Sequence, residues 1–266
     1  MRYPAASRKL NIGILAAGVG GLTVLRELER LLPQEGFVYF GDSANCPYGN
    51  RSEDEITALS RRMLDFLREQ GVKAAAIACN TISTLVDALS PEYDFPLFGI
   101  IRPMAEAVGQ GALPAVGLIA TRFTIRTGHY HRLIAQYAPG TRVYGVESPG
   151  LAALIDRGDF SDPAIGTEVS RLVGCLREAG RCGHAILGCT HYPIIQAVFE
   201  KAAPDILFLN PALEQAKAVV RFLEQEDLLN GETPRQRKIV TSGNTGIYGA
   251  VLRKLGIQTP AVIQAP

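Results

Sequence analysis

Neither sign of charge dominates this 266-residue chain: 27 basic and 26 acidic residues leave a net charge of +1. That balance argues against a nucleic-acid footprint and against a polybasic membrane patch. No apolar run approaches the ~18 residues of a membrane span. The N-terminal stretch Met1 to Leu10 carries Arg2, Arg8 and Lys9 but no apolar core. It does not read as a signal peptide, and the cytoplasm is the expected location. Cysteine is scarce and odd in number, five in all, which points to thiols rather than a disulfide framework. Tryptophan is missing, and its absence excludes nothing. What remains is 47% apolar residues, enough for one large or two modest α/β domains.

Two stretches organise the chain. In Ala185-Ile186-Leu187-Gly188-Cys189-Thr190-His191-Tyr192-Pro193, an apolar run ends at a glycine and presents a thiol, a hydroxyl and an imidazole. The same construction occurs in Ala74 to Ser83, where a short apolar run reaches Cys79 and is followed by Asn80, Thr81 and Ser83. The two cysteines lie roughly 110 residues apart, the spacing of a duplicated unit. Asn11-Ile12-Gly13-Ile14-Leu15-Ala16 resembles Ala115-Val116-Gly117-Leu118-Ile119-Ala120, and each opens a half. Strands running into polar tips are where open α/β sheets bind small molecules. The expectation is two similar α/β halves with mostly parallel sheets and a pocket between them, one thiol on each side.

The elements alternate throughout. The expected strands are Asn11 to Ala17, Phe37 to Phe40, the first cysteine strand, Leu97 to Ile101, Ala115 to Ala120, Arg142 to Val146, the second cysteine strand, Ile206 to Leu209 and Ile239 to Thr241. Helices are expected over Leu22 to Leu32, Glu53 to Gln70 (with a capping box of Ser52 and Glu55), from Pro103 on, within Thr121 to Tyr137, and over Pro149 to Arg157, Ala164 to Ala179, Leu213 to Glu226 and Gly246 to Leu255. Leu229 to Arg237 reads as an exposed loop. Gly18-Val19-Gly20-Gly21 is glycine-rich but does not fit G-x-G-x-x-G. No acidic residue is expected to close the next strand for ribose binding, so a nucleotide is disfavoured.

The chemistry follows from the thiols. A strand-to-helix turn favours a thiolate, because helix N-termini favour anions. His191 stands two residues from Cys189 and can stabilise a thiolate or relay a proton. Two opposed thiols, one deprotonated, form an acid–base pair able to remove a proton from a carbon and return one to the opposite face. Backbone N–H groups and the hydroxyls of Thr81, Ser83 and Thr190 are candidates to hold carboxylates and developing charge. Cys175 and Cys182 read as small apolar fillers, and Cys46 as intermediate. Cys175, Cys182 and Cys189 are too widely spaced for a typical zinc pair. His129 and His131 read as surface groups.

These motifs resemble the bacterial glutamate racemases of the aspartate/glutamate racemase superfamily. The resemblance runs over nearly the whole chain and is carried by Gly18 to Val24, Gly41-Asp42-Ser43 with Cys46-Pro47-Tyr48-Gly49, Ala78-Cys79-Asn80-Thr81, Ile119-Ala120-Thr121 and Gly188 to Pro193. It implies two pseudo-twofold-related α/β domains, one of residues 1–98 with 211–266 and one of residues 99–210, with the active site between them. It implies Cys79 and Cys189 as catalytic pair, His191 as partner of Cys189, and Tyr48, Gly49, Asn80, Thr81 and Thr190 as substrate contacts. It further implies an amino-acid or dicarboxylate substrate, supply of D-glutamate to peptidoglycan, no pyridoxal phosphate or metal, and a homodimer.

Four departures from the family pattern, at five positions, stand out. Ala16-Ala17 replace an Asp-Ser pair, Asn210 replaces an aspartate, Asp156 stands for a glutamate and Ser148 for a cysteine. The lost groups are expected to cluster around the site. Three readings follow: a glutamate racemase with weakened support for Cys79, a related isomerase acting on aspartate or on an acid without a free α-amino group, and a binding paralogue that has lost catalysis.

Overall fold

The computed structural model describes residues 3–231, 237–258 and 261–265. In its first part, β1 (Asn11–Ala16), α1 (Leu22–Leu31), β2 (Phe37–Gly41), α2 (Glu53–Glu69), β3 (Val72–Ile77), α3 (Asn80–Ser83), α4 (Val86–Leu89), β4 (Leu97–Gly99) and α5 (Ile101–Gln110) follow one another. The second part continues with β5 (Ala115–Ala120), α6 (Arg122–Arg126), α7 (His129–Tyr137), β6 (Arg142–Glu147), α8 (Leu151–Ile155), α9 (Pro163–Ala179), β7 (His184–Gly188), α10 (Gln196–Ala202) and β8 (Leu207–Leu209). The chain closes with α11 (Pro211–Gln225), β9 (Lys238–Thr241), α12 (Gly246–Leu255) and β10 (Val262–Gln264).

These strands form two sheets, ordered β10-β9-β2-β1-β3-β4 and β6-β5-β7-β8. Every strand pairing is parallel. The duplication is visible in the order: β2-β1-β3-β4 repeats as β6-β5-β7-β8, and β1 corresponds to β5. Parallel strands with helical crossovers are covered on both faces, which is why β1, β3, β5 and β7 read as nearly continuous apolar runs. The molecule is thus two α/β domains with parallel sheets. A core joins them, with Ile12 and Ile14 of one sheet and Leu118 and Ile186 of the other in the same buried cluster.

Helix limits follow local chemistry. The Ser52 hydroxyl accepts from the Glu55 N–H and the Glu55 carboxylate accepts from the Ser52 N–H, the expected capping box. Asp162 caps α9 through the Ala164 N–H. The expected strand to Ile101 is two residues shorter, since β4 stops at Gly99 and α5 begins at Ile101. The Ser83 hydroxyl takes the Ile100 N–H at 3.0 Å and turns the chain. The segment Thr121 to Tyr137 is two helices, broken at Gly128, whose φ of +63° suits glycine. The short helix Ala5–Lys9 and strand β10 had no clear sequence signal. Of the expected loop Leu229 to Arg237, residues 232–236 lie outside the described residues.

One ionic contact ties distant segments together. Lys73 on β3 pairs with Glu35 at 2.6 Å, both essentially inaccessible. The same ammonium donates to the carbonyls of Arg8 and Leu228, and the other Glu35 oxygen accepts from the Asn230 N–H.

Candidate active site

The two cysteine strands stand at equivalent positions, β3 beside β1 and β7 beside β5. Each thiol leaves the C-terminal tip of its strand, where an open parallel sheet exposes backbone groups. Cys79, in extended conformation, precedes α3. Cys189 follows β7 and leads into a short 3-10 turn over Tyr192–Ile195. Both line one small cleft whose free space is about 20 Å³, room for little more than a water molecule. Its wall also contains Tyr48, Gly49, Asn80, Thr81, Thr190 and His191, so every site residue that the resemblance implies borders the same cavity. Ala17, Cys46, Pro47, Thr121 and Ala152 complete it. The halves meet tightly here. A Cβ on Gly20 would stand 2.7 Å from the His191 backbone nitrogen, and one on Gly49 would stand 2.5 Å from the Thr121 Cβ. Glycine is required at both approaches.

The surroundings of the two sulfurs differ. Cys189 Sγ lies 3.6 Å from His191 Nδ1, and His191 Nε2 lies 3.0 Å from Asp156 Oδ1. Burial disfavours a charged imidazole. The Asp156 carboxylate outweighs it, helped by contacts with Cys189 and Cys46, and holds His191 well above the ordinary histidine range. The imidazolium in turn keeps Asp156 below the usual aspartate value despite burial. A charged ring therefore faces the second thiol.

Cys79 has no such partner. Burial pushes its thiol up to about 11, opposed by the backbone N–H groups of Ile82 and Thr81 at the start of α3 and by the charge of His191. The turn does aid the thiolate, as expected, but burial outweighs it. Of the two alanines that depart from the family pattern, Ala17 lines the cleft while Ala16 is buried against the interior. An acidic residue does follow β2, contrary to expectation: it is Asp42. Its carboxylate accepts from the hydroxyls of Tyr48 (2.5 Å) and Ser242 (2.6 Å) and from the Asn45 amide. Asp42 thus fixes Tyr48 in the wall and makes no hydrogen bond to Cys79.

The neutral polar groups form ordered pairs. Asn80 Oδ1 accepts from Tyr130 at 2.7 Å, and its buried Nδ2 has no protein partner. Thr81 shares a 3.0 Å contact with Thr121, and the Thr190 hydroxyl donates to the Ala78 carbonyl. Tyr130 escaped sequence reasoning because a tyrosine inside an amphipathic helix looks like any core residue. Among the described residues no lysine or arginine side chain lines the cleft, so carboxylates there would be held by amide, hydroxyl and backbone donors.

Two expectations are corrected. Ser83 does not reach the cleft; its hydroxyl donates to the Ile77 carbonyl and accepts from the Ile100 N–H. Asn210 is not at the site either. Its side chain caps α11 through the Ala212 N–H, a task asparagine performs as well as aspartate. The departures therefore do not all cluster around the cleft. Ser148 is buried, with an Oγ that has no hydrogen-bond partner. Cys175 and Cys182 are half-buried against the apolar core and away from the cleft.

Residues 12–221 match the family model Asp/Glu/Hydantoin racemase. The chain is 36% identical over 250 residues to the glutamate racemase of Herpetosiphon aurantiacus, covering 93% of this chain and 98% of that protein. A crystal structure of a glutamate racemase isoform from Bacillus anthracis superposes with a TM-score of 0.90 at 29% identity, covering 97% of this chain and 98% of that one. The Francisella tularensis glutamate racemase in complex with D-glutamate superposes with a TM-score of 0.88 at 28% identity, over 97% and 98% of the two chains.

Proposed function

The chain belongs to the Asp/Glu/Hydantoin racemase family and is an amino-acid racemase, and we propose that it interconverts L- and D-glutamate by proton transfer between two thiols, without a cofactor. The observation that carries this reading is the pairing of Cys79 and Cys189 on one cleft, at equivalent ends of two related sheets. Cys189, faced by the His191 imidazolium, removes or delivers a proton on one side of Cα. Cys79 does so on the other. Inversion follows because the carbanion accepts its proton from the face opposite to the one that lost it.

Asp156 acts through His191: its carboxylate fixes the ring and retains its charge. The unpartnered Asn80 Nδ2, oriented by Tyr130, donates to a substrate carboxylate, as do the Thr81 hydroxyl and the backbone N–H of Thr190. Tyr48, buttressed by Asp42, and Gly49 shape the wall. Donors already in place stabilise the negative charge that builds on the α-carboxylate as Cα loses its proton. The division of labour follows the chain, with residues 1–98 and 211–266 supplying Cys79 and residues 99–210 supplying Cys189 and His191. The product would serve peptidoglycan precursor synthesis in the cytoplasm, and the working form would be a homodimer.

A second reading has one observation in its favour. Among the described residues no carboxylate side chain lines the cleft, and Ala17 offers no hydroxyl. A substrate ammonium would meet only hydroxyls and carbonyls, so an acid without a free α-amino group also fits. Loss of circular dichroism from L-glutamate, D-glutamate and L-aspartate, with purified protein and no added pyridoxal phosphate, separates the readings. Racemisation of both glutamate enantiomers is expected. Silence with glutamate and activity on another acid would replace the substrate assignment.

A further inference from the structure

Cys46, Asp156 and His191 bring a thiol, a carboxylate and an imidazole together from three separate segments. Cys46 Sγ donates to Asp156 Oδ2 at 3.1 Å, and His191 Nε2 meets Asp156 Oδ1 at 3.0 Å. All three donor atoms lie within 4.8 Å of one another. Thiolate, imidazole and carboxylate oxygen are the donors that zinc-type cations select, and three protein ligands with one open position make a tetrahedral site complete. The room beside them is left by Gly18. A Cβ there would sit 3.4 Å from Cys46 Sγ, 3.6 Å from His191 Nε2 and 3.6 Å from Ser43 Oγ. The sulfur and the ring also border the cleft, which gives an ion a route in.

We propose that Cys46, Asp156 and His191 form an inhibitory site for a thiophilic divalent cation of the zinc type, with water or the Ser43 hydroxyl as fourth ligand. Binding displaces two protons, one from the Cys46 thiol and one from His191 Nε2. The carboxylate exchanges its two hydrogen bonds for a bond to the ion. Cys46 follows β2 while Asp156 and His191 belong to the other sheet's half, so the ion pins the halves together and holds the ring away from proton transfer. The ligands were invisible to a spacing rule because they stand far apart in sequence. The inhibitory consequence rests on the role proposed above for His191; the binding itself does not.

Cadmium titration of the full-length, chelator-free protein tests the site, read by the thiolate-to-metal absorption in the ultraviolet. One ion per chain is expected. Affinity should fall by roughly a hundredfold or more in both Cys46→Ala and Asp156→Asn, exceeding the 10–100-fold typical of losing an outer partner, and should persist in Cys79→Ser. Unchanged affinity in Cys46→Ala and Asp156→Asn would overturn the site, as would loss confined to Cys79→Ser, which would place the ion between the two central thiols. Zinc should inhibit wild-type racemisation, with recovery on chelation. Tight cadmium binding without zinc inhibition would overturn the inhibitory role. A protein with no racemase activity would sink the proposed function while leaving the cadmium result to decide the site.

Discussion

At the residue scale, the site is asymmetric. One thiol faces a charged histidine held by Asp156, and the other is met by backbone donors in a buried environment without a side-chain hydrogen-bond partner. Serine at either position replaces the thiol with a hydroxyl, a far weaker acid and a poorer proton carrier. Cys79→Ser and Cys189→Ser are each expected to abolish turnover; near-normal rates in a circular dichroism assay from either would remove the two-thiol mechanism. Asp156→Asn removes the charge that retains the His191 proton, and turnover should drop about 10²–10⁴-fold, the range for loss of acid–base assistance. The pH dependence of stability has a definite sign. The folded-state value of His191 lies above its unfolded value of ~6.5. Its stabilisation is therefore full below ~6.5 and is lost as pH rises through the raised value. Denaturant melts of wild type and His191→Asn should differ most in mild acid and converge on the alkaline side.

At the scale of elements, strand tips and turns place the chemistry. Gly20 and Gly49 let the halves approach without a Cβ between them. Alanine at Gly20 would press on both the ring and the backbone nitrogen of His191, so the ring and Cys189 must shift. A loss of kcat well beyond the loss of thermal stability is expected for Gly20→Ala, and equal wild-type kcat would show the contact to be slack. The contrast is Ser52→Ala at the start of α2, which is remote from the cleft. Removing that cap should cost about 1 kcal/mol of stability, with kcat and KM unchanged.

At the scale of the whole molecule, the chain folds back on itself: β9 and β10, following α11, rejoin the sheet opened by β1. The Lys73–Glu35 pair reinforces that return by holding the carbonyls of Arg8 and Leu228 and the Asn230 N–H. Lys73→Met strands a buried carboxylate, and a loss of roughly 3–5 kcal/mol is expected in denaturant titration.

Much of this architecture was legible in the sequence. The repeated strand–cysteine units exposed the two related halves, because a buried parallel strand is a bare apolar run and its polar tip stands out against it. The capping box was readable because its partners are three residues apart. What lay hidden depends on contacts distant in sequence. Tyr130 orients Asn80 from fifty residues away, Ser83 turns inward to the backbone, and Cys46 meets Asp156 across the cleft. Asn210 was misplaced for the opposite reason: its role is a local helix cap, and the site never involves it.

The central claim is that two sulfurs act on one carbon from opposite faces. Its most direct measurement follows L-glutamate and D-glutamate separately in D2O, with the Cα hydrogen of substrate and product resolved at early times. Deuterium should fill the product enantiomer while the unreacted substrate keeps its protium. Protium carried into the product, or deuterium appearing equally in both enantiomers from the outset, would mean that a single base serves both faces.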